Sequence, residues 1–444
     1  MAAPLRVAII GSGISGLAVA HALRDYADIT LYESEHYFGG HTHTVDVTLP
    51  SSEDAARSVS FGVDTGFLVY NERTYPQLIR FLAELGVATA ASDMSFSVQV
   101  PNALRGRTLE WSGTSLSSVF VQRSNLISRD FLGMLADLIR FNALARRIAE
   151  SGQDAQWMQP LGDFLDQHRL GRAFRDWYLL PMLGCIWSCP TQQMLQFPVA
   201  TMVRFCHNHG LIQIMNRPQW FTVRGGARQY VEKVVARIAD KRLSSPVKFI
   251  ERQASGVRIA TETAGIGRIE QFDKVVIATH SDQALRLLQS PTAEEAAALS
   301  AIKYQQNRAV LHTDSRVLPS QRRAWASWNY ERAAHANDES ARVCLHYYVN
   351  QLQPLPVTTP VVVTLNPLRE IDRKWVMGEY DYAHPVFDLA AIQAQPKVAA
   401  LQGQQHTYFC GAWMGYGFHE DGLTSGLAVA RSLLALPPAP AAPA

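Results

Sequence analysis

The sequence predicts a two-domain α/β protein: a parallel-sheet domain assembled from three separated stretches of chain, with an α+β domain interleaved between them. Three observations carry this. An apolar strand-type run, Leu5–Ile10, meets the glycine-rich Gly11-Ser12-Gly13-Ile14-Ser15-Gly16 and continues with helical spacing from Leu17 to Leu23. From about Leu104 to Arg217 the texture changes to helix with many aromatics. Strand-type runs at Asp273–Thr279 and Thr407–Gly411 then return to the pattern of the N-terminus. With 444 residues, 47% of them hydrophobic, the chain can bury the cores that two domains need.

The first elements form a βαβ unit, because Ile29–Glu33 reads as a second strand after the helix. Its glycines permit a tight turn and close backbone approach to a pyrophosphate, and the helix start offers free N–H groups to that anion. Gly11, Gly13, Ile14, Ser15 and Gly16 are therefore expected to hold a dinucleotide in a Rossmann-like domain. Glu33, about 20 residues on, would accept the ribose hydroxyls. Residues 59–70 read as strand and turn, and Thr74–Leu85 as an amphipathic helix ended by Gly86.

In the helical stretch, Phe131, Leu135, Leu138, Ile139, Phe141, Leu144 and Ile148 recur at helical spacing, which indicates core packing more than ligand contact. Val231–Ile238 reads as a helix, and Val247–Ile250, Gly256–Thr261 and Asp273–Thr279 as strands. Gly265-Ile266-Gly267 falls in a polar turn with no helix after it, so no second dinucleotide fingerprint is expected. A further excursion, Ile302–Pro396, holds strand-like Ala309–Thr313, Val343–Val349 and Val361–Leu365. Leu423–Leu436 returns to helical spacing. Residues 1–100, 218–300 and 400–436 are thus assigned to the nucleotide domain, 101–217 and 301–399 to the substrate domain, and 437–444 to a flexible tail.

Composition narrows the partners. With 41 basic and 39 acidic residues, the net charge of +2 implies no nucleic-acid partner and favours a small molecule. No apolar run reaches the ~20 residues of a membrane span, which leaves peripheral contact with lipid open. No export signal precedes Leu5, and five cysteines form neither a disulfide framework nor a metal-ligand spacing, so a reducing cytoplasm is expected. Cys185 and Cys189, or His207 and His209, lack further ligands at the right spacing, so no metal is assigned. The oligomeric state is not legible.

A second glycine segment discriminates further. Gly39-Gly40-His41-Thr42-His43-Thr44 and Val63-Asp64-Thr65-Gly66 resemble the double-glycine region of the flavin-containing amine oxidase and phytoene desaturase superfamily. There a basic residue follows the glycines near the pyrophosphate; here His41 stands in the place of the commoner arginine, leaving more of the contact to backbone N–H groups. Tyr408–Trp413 and Glu420–Gly426 resemble the last flavin-binding segment, which implies cofactor contacts at Gly411, Trp413, Asp421, Gly422 and Leu423. Asp421 replaces the usual glycine, either accepting from a ribityl hydroxyl or capping the helix. Val247 matches the strand beside the adenine, and Ala278-Thr279-His280 the turn after the next strand. Together with Trp187-Ser188-Cys189-Pro190 and Arg224-Gly225-Gly226, these segments resemble a bacterial branch of FAD oxidoreductases often encoded beside cyclopropane-fatty-acid synthase-like methyltransferases. They also resemble flavoprotein desaturases of furan-fatty-acid synthesis.

The resemblance implies an amine oxidase-like fold and non-covalent FAD, contacted also by Gly40, His41, Thr42, Thr65, Gly66 and Thr279. Such a flavin takes a hydride at N5 while the protein orients the substrate and accepts a proton. The family's amine oxidases place a lysine near N5; Asn307 occupies that position here, with Lys303 nearby, which turns the expectation away from amines, and the branch resemblance alone points to dehydrogenation or desaturation of a modified fatty acyl chain. Trp413, Tyr416 and Phe418, with Trp325, Trp328, Tyr347 and Tyr348, are available to line the site. His419 and Glu420 are acid/base candidates, and His43, Tyr70 and Glu72 follow the second glycine segment. His419, Asn307 and Tyr70 are the catalytic candidates. The alternatives are an O₂-linked amine oxidase and a non-catalytic FAD-holding partner protein.

Overall fold

The structure is a computed structural model, and it describes residues 4–54, 56–104, 106–213, 217–263, 265–333 and 343–435. The tail expected at 437–444 lies outside the described residues.

Leu5–Ile10 is the central strand of a five-stranded parallel sheet, flanked by Ala27–Tyr32 and Asp240–Arg242 on one side and by Lys274–Ile277 and Thr407–Phe409 on the other. Val7 and Ile9 enter one core while Ala8 and Ile10 enter another. Both faces of the strand are buried, which explains its unbroken apolar run. One cover helix is Ile14–Leu23, and the C-terminal helix His419–Leu433 packs against it. A Cβ on Gly426 would stand 2.3 Å from the Ser15 carbonyl oxygen, so this helix pair needs a glycine to approach so closely. The two ends of the chain meet there.

A meander of Val247–Gln253, Gly256–Thr263 and Ile266–Phe272 adds to this domain. Ile266 and Gly267, expected in a turn, begin its third strand; only Gly265, with φ of +79°, retains a turn conformation. Exposed polar residues alternate along that strand and hide it from an apolar-run criterion.

The second domain has a seven-stranded sheet in the order Val376–Val386, Lys303–His312, Val362–Leu365, Cys344–Tyr348, Trp328–Glu331, Phe96–Leu104, Arg107–Ser112. Helices between Leu116 and Asn208 cover it, with Phe131, Phe141 and Ile148 buried in the shared core as their spacing predicts. Two features differ from expectation. The boundary set at residue 100 falls inside Phe96–Leu104, which pairs with Trp328–Glu331 and Arg107–Ser112. The 11-residue edge strand Val376–Val386 had no counterpart in the sequence reading; its alternation of Tyr, Asp, His and Pro residues is too polar to stand out.

Candidate active site

One cavity of about 1320 Å³ runs from Glu33 and Val247, past the first glycine loop and the second glycine pair, to a chamber between the two domains. At its first end Gly11 has φ of +97° and Gly40 +56°, conformations that glycine adopts without strain. A Cβ on Gly40 would lie 3.2 Å from the Gly13 Cα, while one on Gly13 would meet no protein atom within 4 Å. The two glycine segments therefore press together and leave space at Gly13. The helix starting at Ile14 has no side-chain cap, so its first N–H groups are free for an anion.

Ser12 joins the three motifs, and sequence reading did not single it out. It is fully buried; its N–H and hydroxyl donate to Glu33 Oε2 at 3.0 and 2.5 Å, and its hydroxyl accepts from Gly39 N–H at 3.0 Å. Glu33 Oε1 accepts from Ser34 Oγ and Glu35 N. A ribose hydroxyl would exchange with one of these serine hydroxyls to reach the carboxylate. Ser245 N–H donates to the Glu33 carbonyl at 2.8 Å and brings Val247 to the same end. A dinucleotide fits this donor set: free amides for a pyrophosphate, a carboxylate for a ribose, and an apolar strand for a base.

Asp64 holds the second glycine segment between the domains. Its buried carboxylate accepts from Thr44 Oγ1 at 2.5 Å, from Ala227 N at 2.9 Å and from Gln353 Nε2 at 3.0 Å. Burial raises its pKa to about 7 despite these donors.

The chamber is built differently, from side chains far apart in sequence. His41, His280 and His384 line it beside Tyr382, with ring centroids of His41 at 5.8, 5.5 and 5.1 Å from His280, His384 and Tyr382. Burial holds His41 well below the usual imidazole range and takes His384 and His43 down to about 4. At neutral pH these rings are uncharged, so His41 offers no cation where the family's arginine would. On the far wall Phe205 stacks on Phe418 at 4.6 Å and on His209 at 3.9 Å, with Trp187 at 4.8 Å and Tyr416 at 5.8 Å.

The structure brings some predicted residues to the cavity and places others behind it. Gly11, Gly13, Ile14, Ser15, Glu33, Gly40, His41, Gly66, Val247, Thr279, Gly411, Trp413 and His419 line it, as do Tyr416, Phe418, Trp328, Tyr347 and His43. Gly16 lies one layer back, where a Cβ would be 2.0 Å from the Gly11 carbonyl oxygen. Thr42 and Thr65 are buried, bonded to Tyr230 and to Tyr382. Asp421 accepts from Phe418 N–H at 2.9 Å as the cap of the C-terminal helix; Gly422 packs on Ile14, and Leu423 is in the core. Glu420 caps another helix, Pro76–Glu84, by accepting from Gln77 and Leu78 N–H at 2.8 and 2.9 Å. Trp325 and Tyr348 pack on each other away from the cavity.

Of the catalytic candidates, only His419 touches the cavity. Its Nε2 is 2.8 Å from Tyr230 Oη and 3.1 Å from Thr42 Oγ1, its ring stacks on Phe67, and burial lowers its pKa to about 3. Tyr70 pairs with Phe221 in a small sheet, stacks on its ring, and does not line the cavity. Asn307 lies beneath His384, its Nδ2 2.9 Å from Nδ1 of that ring. Sequence reading missed His384 because its strand was missed; it read the helical segment of Phe205 as packing, weighed His209 only as a metal ligand, and passed over Trp220, which begins the short strand Trp220–Val223.

One triad could be read as a metal site: Glu331, Cys344 and His346. Its hydrogen bonds have a direction that opposes this. Asp314 N–H donates to His312 Nδ1, so His312 Nε2–H donates to Thr364 Oγ1, whose hydroxyl donates to His346 Nδ1. His346 Nε2 then carries the proton given to Glu331 at 3.0 Å.

A dinucleotide cradle that opens on an aromatic chamber between two domains defines a flavoprotein oxidoreductase. The chain belongs to the flavin containing amine oxidoreductase family, whose pattern residues 14–322 match, and it is an FAD-dependent oxidoreductase. No curated protein matches it. Its fold is shared with a CLA-producing fatty acid isomerase from P. acnes, at 16% identity, TM-score 0.66, covering 97% of this chain and 98% of that one. A putative protoporphyrinogen oxidase from Exiguobacterium sp. 255-15 aligns at 16% identity and TM-score 0.63 over 97% and 99% of the two chains. Cyclohexylamine oxidase from Brevibacterium oxydans IH-35A aligns at 16% and 0.63 over 97% and 100%. At this identity the likeness concerns the fold.

Proposed function

We propose that this oxidoreductase dehydrogenates an apolar, acyl-type substrate, as in the desaturation of a modified fatty acyl chain. The lining of the chamber carries this reading. Met94, Ile186, Trp187, Phe205, Leu211 and Trp220 supply an apolar wall of it; the second domain's carboxylates on the cavity, Glu379 and Asp381, come from the edge strand Val376–Val386 and not from that wall. Burial keeps His41, His384 and His419 uncharged near neutral pH, which suits a dry apolar chain.

Bound FAD supplies the hydride acceptor for such a reaction. The protein's part is to hold the pyrophosphate at Gly11–Ser15, to fix the chain against the Phe205 and Phe418 stack, and to exclude water behind Trp187 and Tyr416. Non-covalent attachment is supported by the five cysteines, all buried and none lining the cavity. Flavin released by acid precipitation checks it; flavin left on the pellet means a covalent link.

The deciding experiment is anaerobic bleaching of the flavin. Methylated phospholipid or its acyl chains should bleach it and amines should not; bleaching by amines alone overturns the reading. Amine oxidation is the second reading, favoured by the family, and peroxide release from a polyamine panel tests it.

Contact with a lipid surface is supported by the helical segment 116–139, where Leu116 is 79% and Ile127 86% exposed and Leu126, Leu132 and Ile139 are also exposed. No helix among the described residues is long and apolar enough to cross a membrane. Co-sedimentation with anionic vesicles, lost in Leu116→Ser/Ile127→Ser, tests this contact.

A further inference from the structure

We propose that His384 is a fixed hydrogen-bond donor at the reactive chamber, held as its Nε2–H tautomer by Asn366 and Asn307 acting in series as positioning residues. The inference goes beyond the choice of substrate, because it concerns how the protein sets one proton.

Two backbone groups that cannot rotate start the series. Asn366 Nδ2 donates to the Val343 carbonyl at 3.0 Å, and Asn366 Oδ1 accepts from Arg308 N–H at 3.0 Å. Reversing the amide would set its oxygen against a carbonyl and its NH₂ against an N–H, so the orientation of Asn366 is fixed. Its Nδ2 also donates to Asn307 Oδ1 at 2.7 Å. That contact turns the NH₂ of Asn307 the other way, toward the Gln305 carbonyl at 3.2 Å and His384 Nδ1 at 2.9 Å. An amide NH₂ can only donate, so Nδ1 accepts and the single proton of the neutral ring sits on Nε2.

The surroundings agree. Asn307 is 2% exposed and Asn366 3%, so both amides would be costly to bury without a task for each polar atom. Asn366 holds a left-handed φ of +49°, a conformation in which asparagine is tolerated better than most residues. The link from Asn307 to His384 is a cross-strand diagonal, since Asn307 pairs with Tyr382 and Gln305 with His384. The ring's hydrogen bond among the described residues is the one at Nδ1, and His384 lines the cavity. The groups facing it are His41, His280 and Tyr382, none charged near neutral pH, and burial with the neighbouring His280 lowers the pKa of His384 to about 4.

A donor so fixed requires an acceptor atom on whatever binds there: a carbonyl oxygen or ring nitrogen of the flavin, or a carbonyl oxygen of the substrate. The test of the tautomer needs no turnover. Long-range ¹H–¹⁵N spectra of ¹⁵N-histidine-labelled holoprotein, with His384→Gln to assign the ring, should show the Nε2–H pattern. Asn307→Asp places an acceptor against Nδ1 and should move that ring to the Nδ1–H or imidazolium pattern; Asn307→Ala should leave mixed tautomers. An Nδ1–H pattern in the wild type, or an unchanged pattern in both Asn307 variants, overturns the proposal. Two further readings locate the acceptor. A shifted flavin absorption band in substrate-free His384→Gln and Asn307→Asp places it on the cofactor; an unshifted band with a ~10- to 100-fold fall in kcat/KM places it on the substrate. Neither change would also overturn it.

Discussion

The two ends of the cavity are made by different means. The end at Glu33 is assembled from two loops near one another in sequence, Gly11–Ser15 and Gly39–Gly40, whose backbone amides are free to meet an anion, and Ser12 ties them to Glu33 with three hydrogen bonds. The chamber end is assembled from side chains on five distant segments: those of His41, His280, His384, Phe205 and Phe418. The first depends on the backbone path and on two side chains, those of Ser12 and Glu33. The second depends on which residues face one another once the domains have closed. Substitutions at the first end should therefore act on folding and cofactor retention together, and those at the second on chemistry with the cofactor still bound.

The largest effect should come from Gly16→Val. Its Cβ would stand 2.0 Å from a backbone oxygen, which no rotamer relieves, so flavin content should vanish and stability fall by roughly 3 kcal/mol or more. Absorbance ratio and thermal melting of the purified variant check both; a yellow protein with an unchanged Tm would break the contrast. Next is Asp64→Ala, which strands Thr44, Ala227 and Gln353 without their acceptor across the junction of the domains. A loss of about 3 kcal/mol is expected in urea unfolding, with Asp64→Asn losing less because its amide oxygen still accepts.

Acid should weaken the chamber end first. His43, His209, His312 and His384 have pKa values lowered to about 4 and His419 to about 3, chiefly by burial. The unfolded chain binds protons on these rings at higher pH than the folded chain does. Their stabilisation is thus complete above about pH 6.5 and is lost as pH falls toward 4. Asp64 and Asp421, raised to about 7, and Glu420, also raised, act with the opposite sign, but they are outnumbered by the lowered histidines, which include His21, His41 and His280 as well. Tm at fixed excess FAD should fall from pH 7 to 4.5, and His384→Gln should flatten that slope. The smallest effect is expected from Phe205→Leu, which trims the aromatic wall: retention of FAD unchanged, Tm lowered by a few degrees, and KM for an apolar substrate raised several-fold. Loss of flavin in that variant would erase the distinction between the two ends.

The sequence by itself made a dinucleotide cradle and the parallel sheet around it legible, because those rest on local requirements: a glycine where the backbone turns or approaches closely, an acidic residue at a strand end, a helix start beside an anion; that the dinucleotide is FAD came from the resemblance of the second glycine pair and the C-terminal segment to a flavoprotein family. Tertiary structure alone decided the reactive end. Glu420 looks like an acid/base candidate in the sequence and Asp421 like either a ribityl contact or a cap, yet each spends its carboxylate on the N–H groups at a helix start. Asn307 looks like the substitute for a lysine, yet it stands behind His384, a residue 77 positions away. That meeting depends on the register between Lys303–His312 and Val376–Val386. Period-2 alternation reports which face a residue takes but not its partner on the next strand, so only the folded sheet could place an asparagine under a histidine.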